Sequence, residues 1–115
     1  MQGVMANSCA RADVLLRRGC ANCFGARWSE RIPGEGVAEK DLSGWSGTLE
    51  MSYAGESVYT QPCATTMHGL VYAEIPGSAF ADASWDGRAS GDYRITATGP
   101  DGEARAVIEG VWHMS

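Results

Sequence analysis

The sequence predicts an all-β protein, built as a single antiparallel β-sandwich or small barrel of about six to eight short strands behind an N-terminal arm. Three observations carry this prediction. Segments that alternate apolar and polar residues recur at intervals of about ten to fifteen residues. Between them stand turn sequences such as Ala54-Gly55, Pro76-Gly77 and Gly99-Pro100-Asp101-Gly102, whose glycines and prolines stop one strand and start the next. The chain also carries 15 glycines in 115 residues, which penalises helix throughout because glycine loses the most backbone freedom on ordering. A chain of this length supports one core, so residues 12–115 read as one β domain and residues 1–11 as the arm.

The first strand is expected within Ala12–Arg18, a short apolar run closed by Gly19. Phe24, Ala26 and Trp28 then share one parity, and Cys23, Gly25, Arg27 and Ser29 the other, which gives a second strand with one mostly apolar face. Arg31–Lys40 holds Pro33, Gly34, Gly36 and several charges, and reads as an exposed loop. Trp45, Gly47, Leu49, Met51 and Tyr53 alternate with Ser46, Thr48, Glu50 and Ser52, the clearest half-buried strand of the chain. Ala54-Gly55-Glu56 turns it, Val58–Thr60 continues the hairpin, and Gln61-Pro62 is expected to break it. Val71, Ala73 and Ile75 alternate with Leu70, Tyr72 and Glu74 up to Pro76-Gly77, after which Ser78–Trp85 has room for one short helical turn. Tyr93, Ile95 and Ala97 oppose Arg94, Thr96 and Thr98. Past the Gly99–Gly102 turn, Glu103–Met114 returns with Ile108, Gly110, Trp112 and Met114 on one face. At least three of the four tryptophans fall on inward parity and are expected in the core, with Trp85 in irregular sequence.

Charge narrows the function classes. Nine Lys plus Arg against fourteen Asp plus Glu give a net charge of −5, the wrong sign for a protein that neutralises many phosphates, so no nucleic-acid partner is expected. An apolar share of 44% with 20% charged residues suits a folded domain rather than a disordered one. No apolar run has the length of a membrane span, and Met1–Arg18 lacks the apolar block of a signal peptide, so neither a membrane partner nor export by the general pathway is expected.

The order of these signals is similar to that of a known group. An apolar strand ends in Arg18-Gly19, a strand ends in Trp28, and Asp41-Leu42-Ser43-Gly44-Trp45 opens the alternating strand. Gly69–Pro76 follows as glycine, strand and Ile-Pro stop, and Gly91-Asp92-Tyr93 through Gly99–Gly102 to Glu109-Gly110 forms a closing hairpin. Over about residues 12–115 this resembles small tailed-bacteriophage and prophage structural proteins with an immunoglobulin-like, baseplate-upper-protein-like β-sandwich. The resemblance implies a virion component without an active site, made in the host bacterial cytoplasm, that docks on the tail or baseplate or decorates the capsid. Its partners would be other virion proteins or further copies of itself in a symmetric array. Cys20, Cys23 and the arm depart from the pattern. In the arm, Val4 and Met5 are the apolar residues expected to anchor on a partner.

The most distinctive local feature is Cys20-Ala21-Asn22-Cys23, with Cys9 upstream and Cys63 downstream. Four thiolates suffice for one structural zinc, each at about 2.3 Å, or for an iron–sulfur centre, and a two-residue spacer in a turn aims both thiols at one point. A metal-stapled binding or redox module is therefore the rival reading. Residues three apart on an extended strand point to opposite faces, so inert, partly buried thiols or a disulfide compete with it. His68 and His113 are the only imidazoles. A Ser–His68–carboxylate set lacks the nucleophile-elbow context of a hydrolase. The acid pairs Asp82 with Asp86 and Glu35 with Glu39 read as a polar turn and a solvated loop. No catalytic residue is expected.

Overall fold

The computed structural model describes residues 9–115. In chain order the strands are β1 (Ala10–Arg11), β2 (Val14–Leu16), β3 (Asn22–Arg27), β4 (Ser29–Ile32), β5 (Gly36–Glu39), β6 (Ser46–Tyr53), β7 (Glu56–Thr65), β8 (Leu70–Ile75), β9 (Ser90–Thr98) and β10 (Ala104–Met114). A single 3₁₀ turn, Ala83–Trp85, is the only helical element among the described residues. The protein is all-β, as its alternation and turns require.

One curled sheet runs in the order β1-β10-β9-β6-β7-β8-β3, with β2 beside β1 on the same edge of β10, and β4–β5 forms a separate two-stranded sheet. The curl brings the sheet's ends together. β2 lies at one end and β3 at the other, yet only the Arg17–Ala21 connection separates them, with Gly19 at φ 86°. The Asn22 side chain clasps the two by accepting from the Arg17 amide at 3.0 Å and donating to the Arg17 carbonyl at 3.1 Å. The result is a nearly closed barrel.

Its core follows the alternation. Leu49 and Met51 of β6, Val71, Ala73 and Ile75 of β8, Tyr93, Ile95 and Ala97 of β9 and Trp112 of β10 are all buried. Leu16, Leu42, Phe80 and Trp85 close the remaining space. A bulge in β10 between Ala106 and Ile108 turns two consecutive residues, Val107 and Ile108, inward.

Several expectations are corrected. The sheet is mixed, because β1 and β2 both run parallel to β10. Ala10 and Arg11, the last described residues of the segment assigned to the arm, pair with Ile108 and Glu109. Arg31–Lys40 is mostly a hairpin, since Pro33-Gly34-Glu35 supplies the turn, with Gly34 at φ 80°, and β4 and β5 pair from Ser29↔Glu39 to Ile32↔Gly36. Pro62 does not end β7. Over Glu56–Cys63 the strand pairs with β6 alone, and such an edge tolerates a residue without an N–H. Where β7 and β8 splay, Gln61 Nε2 donates to the Glu74 carbonyl at 2.6 Å in place of a ladder bond. Trp85, in irregular sequence, is core at 5% exposure, while Trp28 and Trp45 are only half-buried.

Candidate functional site

The best-developed polar surface lies where the N-terminal strand meets the sheet. Register places Glu50 of β6 opposite Arg94 of β9, Arg94 opposite Glu109 of β10, and Glu109 opposite Arg11 of β1. The row alternates in sign across four strands, an arrangement favoured for residues directly opposite each other in a sheet. Glu109 receives both guanidinium groups, Arg11 Nη1 at 2.9 Å and Arg94 Nε at 3.2 Å. These residues line a shallow cleft of about 340 Å³ with Ser52, Asp92, Tyr93 and Gly110.

Beside the cleft the chain passes tightly over β10. The Ala12 amide donates to the Glu109 carbonyl at 3.2 Å, the buried Tyr93 hydroxyl donates to the Ala12 carbonyl at 2.7 Å, and Asp13 Oδ1 accepts from the Val111 amide at 3.3 Å. A Cβ on Gly110 would stand 1.9 Å from the Ala12 carbonyl oxygen, so only glycine admits the crossing. Burial, with the nearby Asp13 charge, raises the Tyr93 pKa and keeps its donor protonated. This edge therefore holds a strand by backbone bonds, one phenol and paired charges. Its chemistry is attachment.

A second cluster sits at the end of the barrel that carries the β4–β5 hairpin. Trp28 and Trp45 meet edge to face at 5.3 Å, and Lys40 Nζ lies 5.6 and 5.4 Å from their ring centres. The Trp28 amide donates to the Gly69 carbonyl at 2.7 Å and the Lys40 amide to the Trp28 carbonyl at 3.0 Å, which ties the hairpin base to the β7–β8 turn. Glu39 pairs with Arg27 and lies 3.4 Å from His68 Nδ1. Val37 and Met67 are exposed at 64% and 61%.

The four cysteines stand on separate elements. Cys9 precedes β1, Cys20 follows the Gly19 turn, Cys23 lies on β3 opposite Glu74, and Cys63 lies on β7 opposite Gly47. All four thiols are free. Among the described residues no group of three or more His, Cys, Asp and Glu side chains comes together as a metal site, so these residues do not fit a four-cysteine centre. The turn that would have joined Cys20 to Cys23 instead precedes Cys20, whose amide bonds back to the Arg17 carbonyl at 3.3 Å, and Cys23 is already in a strand. Burial pushes the Cys63 thiol up to about 11. Burial and the Glu109 charge also raise Cys9.

The remaining candidates have structural occupations. His68 faces Glu39 and His113 Nε2 lies 3.6 Å from Asp13 Oδ2; both imidazoles sit beside carboxylates. Asp82 caps the 3₁₀ turn by accepting from the Ser84 amide, and Asp86 pairs with Arg18 at 2.7 Å. Arg18 also donates to the Phe80 and Asp82 carbonyls, pinning that segment to the barrel. Val4 and Met5 lie outside the described residues.

The charge row is not visible in sequence for a specific reason. Counted back from the Thr98↔Ala104 pair, an unbroken hairpin sets Arg94 opposite Ile108, and only the bulge at Val107 brings Glu109 there. Opposite charges at outward positions of two hairpin strands were the available signal. Compared with known proteins, neither a family model nor a curated protein matches the chain.

Proposed function

We propose that this chain is a non-enzymatic structural component of a tailed-bacteriophage or phage-like virion, an accessory tail, baseplate or capsid-associated module that docks by protein–protein contacts. The supporting observation is the edge of β10. There the chain adds its own N-terminal residues to the sheet in parallel register, Ala10↔Ile108 and Arg11↔Glu109, over a glycine that admits the crossing. Strand addition supplies affinity through main-chain hydrogen bonds and specificity through alternate side chains, and a module that uses it can be repeated around a symmetric particle. Val4 and Met5, ahead of this strand, are the apolar anchors toward a neighbouring virion protein or a further copy. The projecting β4–β5 hairpin adds a second set of strand edges.

The test is co-purification with particles. Particles from an induced source culture are banded by density and probed with antibody raised against the purified chain. The protein is expected in the particle band in repeated, stoichiometric copies, and Val4→Asp with Met5→Asp is expected to remove it. Finding it only in the soluble fraction, with intact particles that lack it, would sink the proposal.

A further inference from the structure

Most arginines of this chain are neutralised by a carboxylate. Arg11 and Arg94 share Glu109, Arg18 holds Asp86, Arg27 holds Glu39 and Arg105 holds Glu103. Among the described residues Arg88 is the half-buried exception. Its guanidinium carbon lies 4.8 Å from the centre of the Trp85 ring and 5.6 Å from that of Tyr53, and no carboxylate pairs with it. A guanidinium held over aromatic rings is partly dried on its faces, yet its planar N–H fork keeps the geometry that receives a carboxylate through two bonds. Arg18, close by, has no such capacity left. Its Nε, Nη1 and Nη2 already donate to the Phe80 carbonyl, Asp86 and the Asp82 carbonyl.

Arg88 opens on a shallow cleft of about 260 Å³ whose walls include Trp85, Ala89 and Met114. Met114 and Ser115 also border a second recess of about 210 Å³, lined by Leu15, Arg17 and His113. Arg17 is exposed and, like Arg88, has no carboxylate partner among the described residues, and Leu15 is exposed at 83%. Two uncompensated cations thus flank an apolar strip of Leu15 and Met114, a local reversal of sign on a chain of net charge −5. Arg, Trp and Tyr are also the side chains that most often anchor protein interfaces. We propose that this surface docks an acidic, leucine-like segment of a partner protein, with the Arg88 fork receiving a carboxylate and Leu15 and Met114 receiving the adjacent apolar side chain. Charge complementarity selects that occupant, and the Trp85 and Tyr53 rings hold the fork in place before it arrives. The proposal does not rest on the virion reading, which particle banding tests separately.

The probe is a short end-capped peptide of alternating glutamate and leucine, with its glutamine counterpart as control. Each is titrated into the full chain while tryptophan emission and the Arg88 Nε–H resonance are followed. The acidic peptide is expected to bind and to move that resonance, and the glutamine peptide to do neither. Arg88→Met keeps an unbranched stem over both rings without the fork, and is expected to weaken binding about tenfold or more, the weight of a lost charged hydrogen bond. Arg88→Lys is expected to recover only part of the loss, because an ammonium has no fork. Arg31→Met removes an exposed cation on the β4–β5 hairpin and is expected to change binding less than about twofold. No binding of the acidic peptide, equal losses in Arg31→Met and Arg88→Met, or full recovery in Arg88→Lys would overturn the proposal. Binding to phosphatidylglycerol vesicles but not to the peptide would overturn it too, by assigning the surface to a membrane. If Arg88→Met no longer melts cooperatively, the resonance in the unaltered chain decides: movement with the acidic peptide supports the site, and a fixed Arg88 signal removes it.

Discussion

Two antiparallel pairs in this molecule, β6–β9 and β4–β5, have similar backbones and very different undersides. In β6–β9 the inward positions Leu49, Met51, Tyr93, Ile95 and Ala97 are buried. In β4–β5, Ser29, Glu30 and Arg31 are exposed, and β5 buries nothing fully. The first pair is held by removal of apolar surface from water, the dominant driving force of folding. The second is held by its turn, its ladder and its base, where Lys40 covers the Trp28 and Trp45 rings. A lone two-stranded sheet is marginal in water, so this hairpin depends on those anchors. Alternation in sequence thus marks a core strand, whereas turn chemistry alone marks a hairpin whose described side chains are mostly exposed.

The sharpest way to break the comparison is to remove a core group. Trp112 is fully buried, and its Nε1 donates to the Ser52 carbonyl at 3.1 Å. Trp112→Ala is expected to cost about 3–5 kcal/mol in a urea melt. Gly25 of β3 comes next, because an added Cβ would meet the Val71 carbonyl oxygen at 2.1 Å and the Tyr72 Cα at 2.6 Å. Gly25→Ala is expected to cost about 1–3 kcal/mol and to loosen β3 from β8, seen as faster amide exchange in both strands.

Lys40→Ala tests the hairpin's base. Global stability is expected to fall by about 1 kcal/mol or less, while exchange in β4 and β5 quickens and tryptophan emission changes. If the hairpin amides stay as protected as before, the two indoles do not need the ammonium.

Cys63 supplies a pH test. Its folded pKa is raised by burial from 9.0 to about 11, so its contribution is fully present below pH 9 and is lost as pH rises toward about 11. Stability is expected to fall across that window, less so in Cys63→Ala, and the exposed Cys20 and Cys23 are expected to alkylate at pH 8 well before Cys63. The smallest effect is expected at Val37, exposed at 64% in the hairpin. Val37→Ala should shift stability by no more than about 0.5 kcal/mol, and a larger loss would show a hidden contact beneath β5.

Much of the fold was legible. The alternation of Trp45–Tyr53 and Tyr93–Thr98, the Ala54-Gly55 and Gly99–Gly102 turns, and the Pro76 stop all match the elements formed. Ala54 at φ 54° and Gly55 at φ 85° give the two positive-φ positions that a tight hairpin requires. Trp85 was harder to read, because it is buried by packing against Phe80 at 4.5 Å and Trp112 at 5.9 Å, with no local period. The cysteines misled in the same way. Cys20 and Cys23 are close in sequence, but the turn falls before Cys20 and Cys23 already lies on β3, so they do not share one tight turn.

By itself the sequence determined which side chains face inward along each long strand and where the chain turns, since both depend on residues within a few positions of one another. Tertiary structure alone decided the parallel seating of β1 and β2 on β10, the bulge that brings Glu109 to Arg94, and the burial of Trp85. Those features arise between segments up to about a hundred residues apart, and they are selected when the sheet curls and its two ends meet, a condition that no local pattern encodes.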